Sequence, residues 1–256
     1  MTSGVTSGAS AAFEIEGQVV NVASADEAIG AIIARLARPG SFMLCTLNLD
    51  HLVKLRSDAA FARAYRKAEF VTADGFPIVT LARMSGRAIG LTTGSDLVMP
   101  LCQAAAEAGL PIFLFGTSEE ALAIAGARLM QAAPGLDIRG RLSPSRDFSV
   151  DSEEAREAIQ AIERSGARIC FVALGAPRQE IFAAAAIEQT SDIAFLSIGG
   201  SLDFIAGLQT RSPPFLRRLK LEWAWRLASD PRRLGGRYAR SAILFIELLM
   251  RRLLAR

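Results

Sequence analysis

The sequence predicts an α/β protein, a Rossmann-like and mostly parallel sheet flanked by helices, with a basic amphipathic helical appendage at its C-terminus. Three observations predict it. As far as residue 210, short apolar runs alternate with longer stretches of helical periodicity. Most runs leave through a short polar or glycine-bearing turn rather than a long linker. Finally, the charge changes sign late in the chain. Residues 211–256 hold 12 Lys/Arg against 3 Asp/Glu, which leaves 17 against 23 for residues 1–210 out of totals of 29 and 26.

In chain order, apolar runs at 41–47, 69–72, 111–115, 137–142, 168–174 and 192–198 read as strands. The stretches 26–37, 57–67, 77–85, 95–108, 118–132, 151–165 and 179–187 read as helices. SEE at 118–120 and DSEE at 151–154 are the clearest starts, because each joins an N-cap serine to acidic residues that suit the first turn. Residues 1–12 lack the basic and apolar regions of a secretory signal and read as a frayed tail of small residues. QTRSPP at 209–214 is the best boundary, since two prolines there interrupt any helix. It divides a body, 1–210, from an appendage, 211–256.

Composition narrows the function. Apolar residues make up 51% of the 256, so a packed globule is expected. The longest apolar runs fall far short of the roughly 18 residues of a membrane span, and the expected location is cytoplasmic. Cys45, Cys102 and Cys170 are odd in number and have apolar neighbours, which reads as core residues in a reducing compartment. His51 is the only histidine, so neither a His/Cys zinc cluster nor a His-dependent triad can be assembled. The chain also lacks G-x-G-x-x-G after a strand, the G-x-x-x-x-G-K-[ST] loop, and any D-x-D metal-holding pair. No metal and no cofactor is expected.

Ligands of parallel sheets bind beyond the carboxyl ends of the strands, so the residues there carry the functional question. Asp74, in ADGF at 73–76, reads either as a turn or N-cap residue or as a general base at the sheet mouth. Thr46 and Asn48 either satisfy backbone groups or hold a polyhydroxylated ligand, and His51 reads as a helix-start residue. Gly199, Gly200 and Ser201 form an ordinary turn or bring backbone N–H groups to a phosphate; Asp203 reads either as a cap for the next helix or as a substrate-binding residue beside them. Arg178, Gln179 and Glu180 are either a solvated helix start or a set that reads a uracil edge and ribose hydroxyls.

In the appendage, basic residues including Arg211, Arg218 and Arg226 interleave with Leu219, Trp223 and Trp225. That pattern suits an amphipathic helix at a lipid–water interface, or a surface helix packed on the body. Nucleic acid is the weaker partner, because stacking platforms and a recognised motif are missing.

Taken together, TLN (46–48), TADG (72–75), TGSDL (93–97), FLFG (113–116), LGAPRQE (174–180), GGSLDFIAG (199–207), RSPP (211–214), LEWAWRL (221–227), DPRRL (230–234) and RY (237–238) resemble the WecG/TagA/CpsF family of bacterial glycosyltransferases. The likeness runs in family order from about Thr46 to Tyr238, and the first forty residues carry little of it. It implies inverting transfer of a hexose-type sugar (N-acetylmannosamine, its uronic acid or glucose) from a UDP-sugar to a polyprenyl-diphosphate-linked acceptor. Such a step belongs to bacterial exopolysaccharide or cell-surface glycopolymer synthesis. It also implies a base at Asp74, Thr46 near the transferred sugar, and nucleotide contacts at Arg178, Gln179, Glu180, Gly199, Gly200 and Ser201.

By the same resemblance the body is the catalytic domain, and the appendage docks on the inner face of the cytoplasmic membrane and brings arginines over the site. Arg211, Arg218 and Arg226 are the candidates for stabilising the departing diphosphate. A homo-oligomer is left open. Two departures stand out: LDH (49–51) replaces a more usual Pro-Glu-type continuation, and Phe76-Pro77 follows the aspartate. The competing reading is a non-catalytic nucleotide or nucleic-acid binding module with the same kind of body.

Overall fold

The computed structural model describes residues 12–209, Trp225, and 231–254 apart from the Arg233 side chain. All six expected strands are present: β3 (Phe42–Leu47), β4 (Phe70–Ala73), β5 (Ile112–Gly116), β6 (Ile138–Leu142), β7 (Ile169–Ala173) and β8 (Ala194–Ser197). They form one sheet in the order β4-β3-β8-β7-β5-β6, and every pairing is parallel. A parallel sheet is covered on both faces, and β3, β5, β7 and β8 are accordingly buried at every position. The edge strand β6 alternates half-buried with exposed residues and puts Arg139 and Arg141 outward, which blunts edge pairing.

Seven of the helices match the expected stretches: α1 (Ala25–Leu36), α3 (Ala59–Tyr65), α4 (Phe76–Met84), α5 (Gly94–Glu107), α6 (Glu119–Ala132), α7 (Glu153–Arg164) and α8 (Arg178–Ala186). Ser118 and Ser152 are N-caps, as SEE and DSEE suggested, each accepting from the backbone N–H three residues on. Helix α4 begins one residue earlier than expected, and its N-cap is Gly75 rather than Asp74. The seven-residue α2 (Leu49–Leu55) and six-residue α9 (Ser201–Ala206) were not among the expected stretches; each follows its strand after no more than three residues. The last described element is the long α10 (Pro231–Leu254).

An N-terminal hairpin, β1 (Phe13–Ile15) and β2 (Gln18–Val20), was not expected. Its two-residue turn, Glu16-Gly17, has positive φ at both positions, the arrangement that matches strand twist. After it, Asn21 exchanges hydrogen bonds with the backbone of Glu69 and Val71 and so covers the free edge of β4.

Two apolar clusters lie on opposite faces of the sheet. Helices α2 and α8, which leave β3 and β7, pack into the first through Leu52, Phe182 and Ala183. Helices α6 and α9, which leave β5 and β8, pack into the second through Leu122, Ala125 and Leu202. Along the strand order β3-β8-β7-β5, neighbouring exits therefore part to opposite faces. This opens crevices at the carboxyl end of the sheet. Cys45, Cys102 and Cys170 are free and buried, in line with their reading as core residues.

Candidate active site

Parallel pairing aligns the strand ends. Thr46 stands opposite Thr72 and Leu47 opposite Ala73, so Asn48 and Asp74 emerge side by side. The Asp74 N–H donates to the Leu47 carbonyl at 2.8 Å, which fixes the turn. Asn48 is the N-cap of α2, and its Oδ1 accepts from the His51 N–H at 3.0 Å. With the carbonyl end committed to the cap, Nδ2 is directed outward and donates to Asp74 Oδ2 at 3.4 Å. Asp74 is half-buried, and Thr46 lies buried in β3 just behind. A partly desolvated carboxylate at a sheet mouth is the kind of group that serves as a general base.

His51 is held elsewhere. It is buried, and its Nδ1 is 2.8 Å from the Tyr65 hydroxyl. Burial, and next the positive charge of Lys54, push its imidazole down to about 3, so it is neutral at ordinary pH. One turn further along α2, Lys54 donates to the Ala176 carbonyl at 3.0 Å and pairs with Asp50 at 2.7 Å. It thus ties the end of β3 to the loop that follows β7.

That loop leads into α8, which opens with Arg178, Gln179 and Glu180, and these three side chains are placed differently. Arg178 is exposed, with Nη2 on the Leu174 carbonyl at 3.2 Å. Gln179 and Glu180 are buried instead, at 2% and 0% exposure. Gln179 Nε2 donates to Glu180 Oε1 at 2.7 Å, and its Oε1 accepts from the Gly199 N–H at 3.0 Å. Together they brace α8 against the glycine turn after β8.

The glycine turn is shaped by that brace. Gly199 adopts φ 58°, which an L side chain resists, and Gly200 is the N-cap of α9. Ser201 is buried; its hydroxyl donates to the Ile198 carbonyl at 2.5 Å and lies 3.0 Å from the Ser95 hydroxyl. Asp203 does not cap α9, since it sits inside the first turn. It accepts from the Thr117 hydroxyl, which joins the β5 and β8 ends, and from Gln209 Nε2 at 3.4 Å. Arg211, Arg218 and Arg226 lie outside the described residues.

Several contributors were missed in sequence. Thr93 caps α5 in a box with Asp96, and Gly94 packs so closely on Ile198 that a Cβ there would fall 2.8 Å from its Cα. This presses the α5 N-terminus against the β8 exit. TGSDL is part of the family resemblance, but nothing in it says which strand end it meets. Lys54 and Asp50 read as an ordinary i,i+4 pair. Among the described residues, no group of three His, Cys, Asp or Glu side chains comes close enough to hold a metal ion.

A sequence model for the Glycosyl transferase WecG/TagA/CpsF family matches residues 13–256. The chain belongs to that family. It is therefore an enzyme, a glycosyltransferase, and takes a sugar donor and an acceptor. The family match reaches further than the resemblance read from motifs, taking in the N-terminal hairpin and the whole of α10.

Proposed function

We propose that this glycosyltransferase moves a hexose-type sugar, with inversion, from a UDP-sugar to the sugar of a polyprenyl-diphosphate-linked acceptor, in bacterial exopolysaccharide or cell-surface glycopolymer synthesis. N-acetylmannosamine, its uronic acid and glucose are the candidate sugars. The observation that carries the reading is the meeting of Asp74 and Asn48 at adjacent strand ends. Asp74 takes the proton from the acceptor hydroxyl as that oxygen bonds the anomeric carbon, and the bond to UDP breaks on the opposite face. Asn48, with Thr46 behind it, orients the carboxylate and the sugar.

Charge then develops on the diphosphate. Backbone N–H groups at the glycine turn and the α5 N-terminus, with Arg178 and the appendage arginines, are the groups proposed to meet it. The transfer is proposed to need no metal.

The acceptor is lipid-linked, and α10 supports docking on a membrane surface. No helix among the described residues is long and apolar enough to cross a membrane. Yet Ile243, Ile246, Met250 and Leu253 are all exposed and, at spacings of three and four, share one face of α10. Leu244 and Leu248 on the opposite side are buried in the body.

The test is transfer to a synthetic lipid-diphosphate sugar from a panel of UDP-sugars with EDTA present. Asp74→Asn should lower turnover about 100- to 10,000-fold, with UDP binding retained. An Asp74→Asn enzyme as fast as wild type would refute the base, and loss of transfer on chelation would refute the metal-free step.

A further inference from the structure

Helix α10 is joined to the site by a chain of charged hydrogen bonds. Arg237 grips the Asp50 carboxylate with both arms of its guanidinium, Nη2 at 2.6 Å from Oδ2 and Nε at 3.2 Å from Oδ1. Asp50 also holds Lys54 Nζ at 2.7 Å, and another proton of that ammonium reaches the Ala176 carbonyl at 3.0 Å. Asp50 and Lys54 stand on α2, whose cap residue Asn48 donates to Asp74. A single path thus runs from the C-terminal helix to both the aspartate turn and the loop after β7.

We infer that Arg237, Asp50 and Lys54 form a positioning relay, through which the seating of α10 sets the geometry of the Asp74 turn and the 174–178 loop. The inference rests on the reading of Asp74 as the base. Three features single this pair out from ordinary surface ion pairs. Its acidic partner is largely shielded, with the Asp50 side chain 18% exposed, whereas the Arg156–Glu153 pair is 55% and 65% exposed. Exposed pairs of that kind are screened by water and salt and position little. The contact is also bidentate, which fixes direction as well as distance. Lastly, α10 has anchors of its own, the buried Leu244 and Leu248 and the 2.9 Å Arg56–Glu247 bridge. Arg237 is thus not needed merely to keep the helix in place.

The electrostatics agree with the geometry. Burial pushes the Asp50 carboxyl up, but hydrogen bonds from Arg237 and Lys54 outweigh it and hold the group below its usual range. The hydrogen bonds that Arg237 donates to Asp50 in turn raise Arg237. The pair is charged across the range in which the enzyme would work. Each end of the relay acts through others, so these are positioning residues rather than catalytic ones.

Two readouts test the relay. In steady state, Arg237→Ala and Asp50→Asn should each lower kcat about 10- to 100-fold, the scale of a misplaced reacting group. The donor KM should stay put. The double variant should be no slower than the slower single one, because both cut the same path. Arg237→Lys should recover only part of the loss, since it keeps the charge but not the fork. Independently of turnover, hydrogen exchange in the unliganded Arg237→Ala protein should quicken at 49–55 and 174–178 while 112–132 stays as in wild type.

Multiplicative losses in the double variant, or exchange unchanged at both segments, would overturn the relay. Wild-type protein that transfers no sugar from any donor would instead sink the proposed reaction. The exchange measurement would still decide the relay in that case.

Discussion

Glu180 is the residue whose environment departs furthest from its local sequence. RQE at the start of a helix suggests solvated charges, yet the carboxyl is wholly buried and one of its oxygens has no hydrogen-bond partner. Burial pushes it up to about 7, while hydrogen bonds from Gln179 and the backbone and the charge of Lys54 pull the other way. The sign of the consequence is fixed. Between the ordinary glutamate range and pH about 7 the folded protein keeps a proton that the unfolded chain has lost. Stability therefore falls as pH rises through that window, by at most about 1.4 kcal/mol per pH unit, and levels off above it. Glu180→Gln preserves shape and hydrogen bonding without the proton. It should match wild type at low pH, gain on it as pH rises, and be the more stable of the two at about pH 8. Parallel Tm–pH curves for the two proteins would show that Glu180 does not titrate in this way.

At the scale of elements, the active crevice depends on how helix starts are pressed against strand ends. Gly94 is the closest such contact, because the first turn of α5 lies directly on the Ile198 backbone. Adding a methyl group cannot be absorbed by a flexible side chain there; either α5 or the β8 exit has to move. Gly94→Ala should cost about 1–3 kcal/mol, as overpacking does, and lower transfer along with it, since the glycine turn follows Ile198. Urea unfolding and turnover of the variant check this together. A midpoint and a rate both equal to wild type would mean that the contact is looser than the geometry states. The Gln179 brace belongs to the same scale: it connects α8 to the turn after β8 and passes no information along the chain.

Over the whole molecule, the described part of the appendage is bound to the body on one side and bare on the other. Helix α10 lays Leu234, Leu244 and Leu248 inward while Ile243 and Ile246 remain 67% and 59% exposed. If that face meets lipid, Ile246→Asp should keep the thermal stability of wild type and lose binding to anionic vesicles. Wild-type binding should also weaken with salt, because each Arg near an anionic surface contributes about 1 kcal/mol. Equal vesicle binding by Ile246→Asp and wild type would exclude this face as the contact. The sequence by itself determined the α/β class, all six strands of the main sheet, seven helices with the serine caps of two of them, and the strand ends on which a site would form. Those signals are local, being apolar runs, helical period and cap chemistry within a few residues. The hairpin, α2 and α9 escaped it because β2, α2 and α9 each follow the preceding strand after no more than three residues, so no break in the pattern sets them apart. Only the tertiary structure decided that Gln179 and Glu180 turn inward, that Asn48 meets Asp74 across 26 residues, and that Arg237 meets Asp50 across 187. Which charge is desolvated, and which partner offsets it, depends on the surfaces that packing brings together, and no window along the chain contains both.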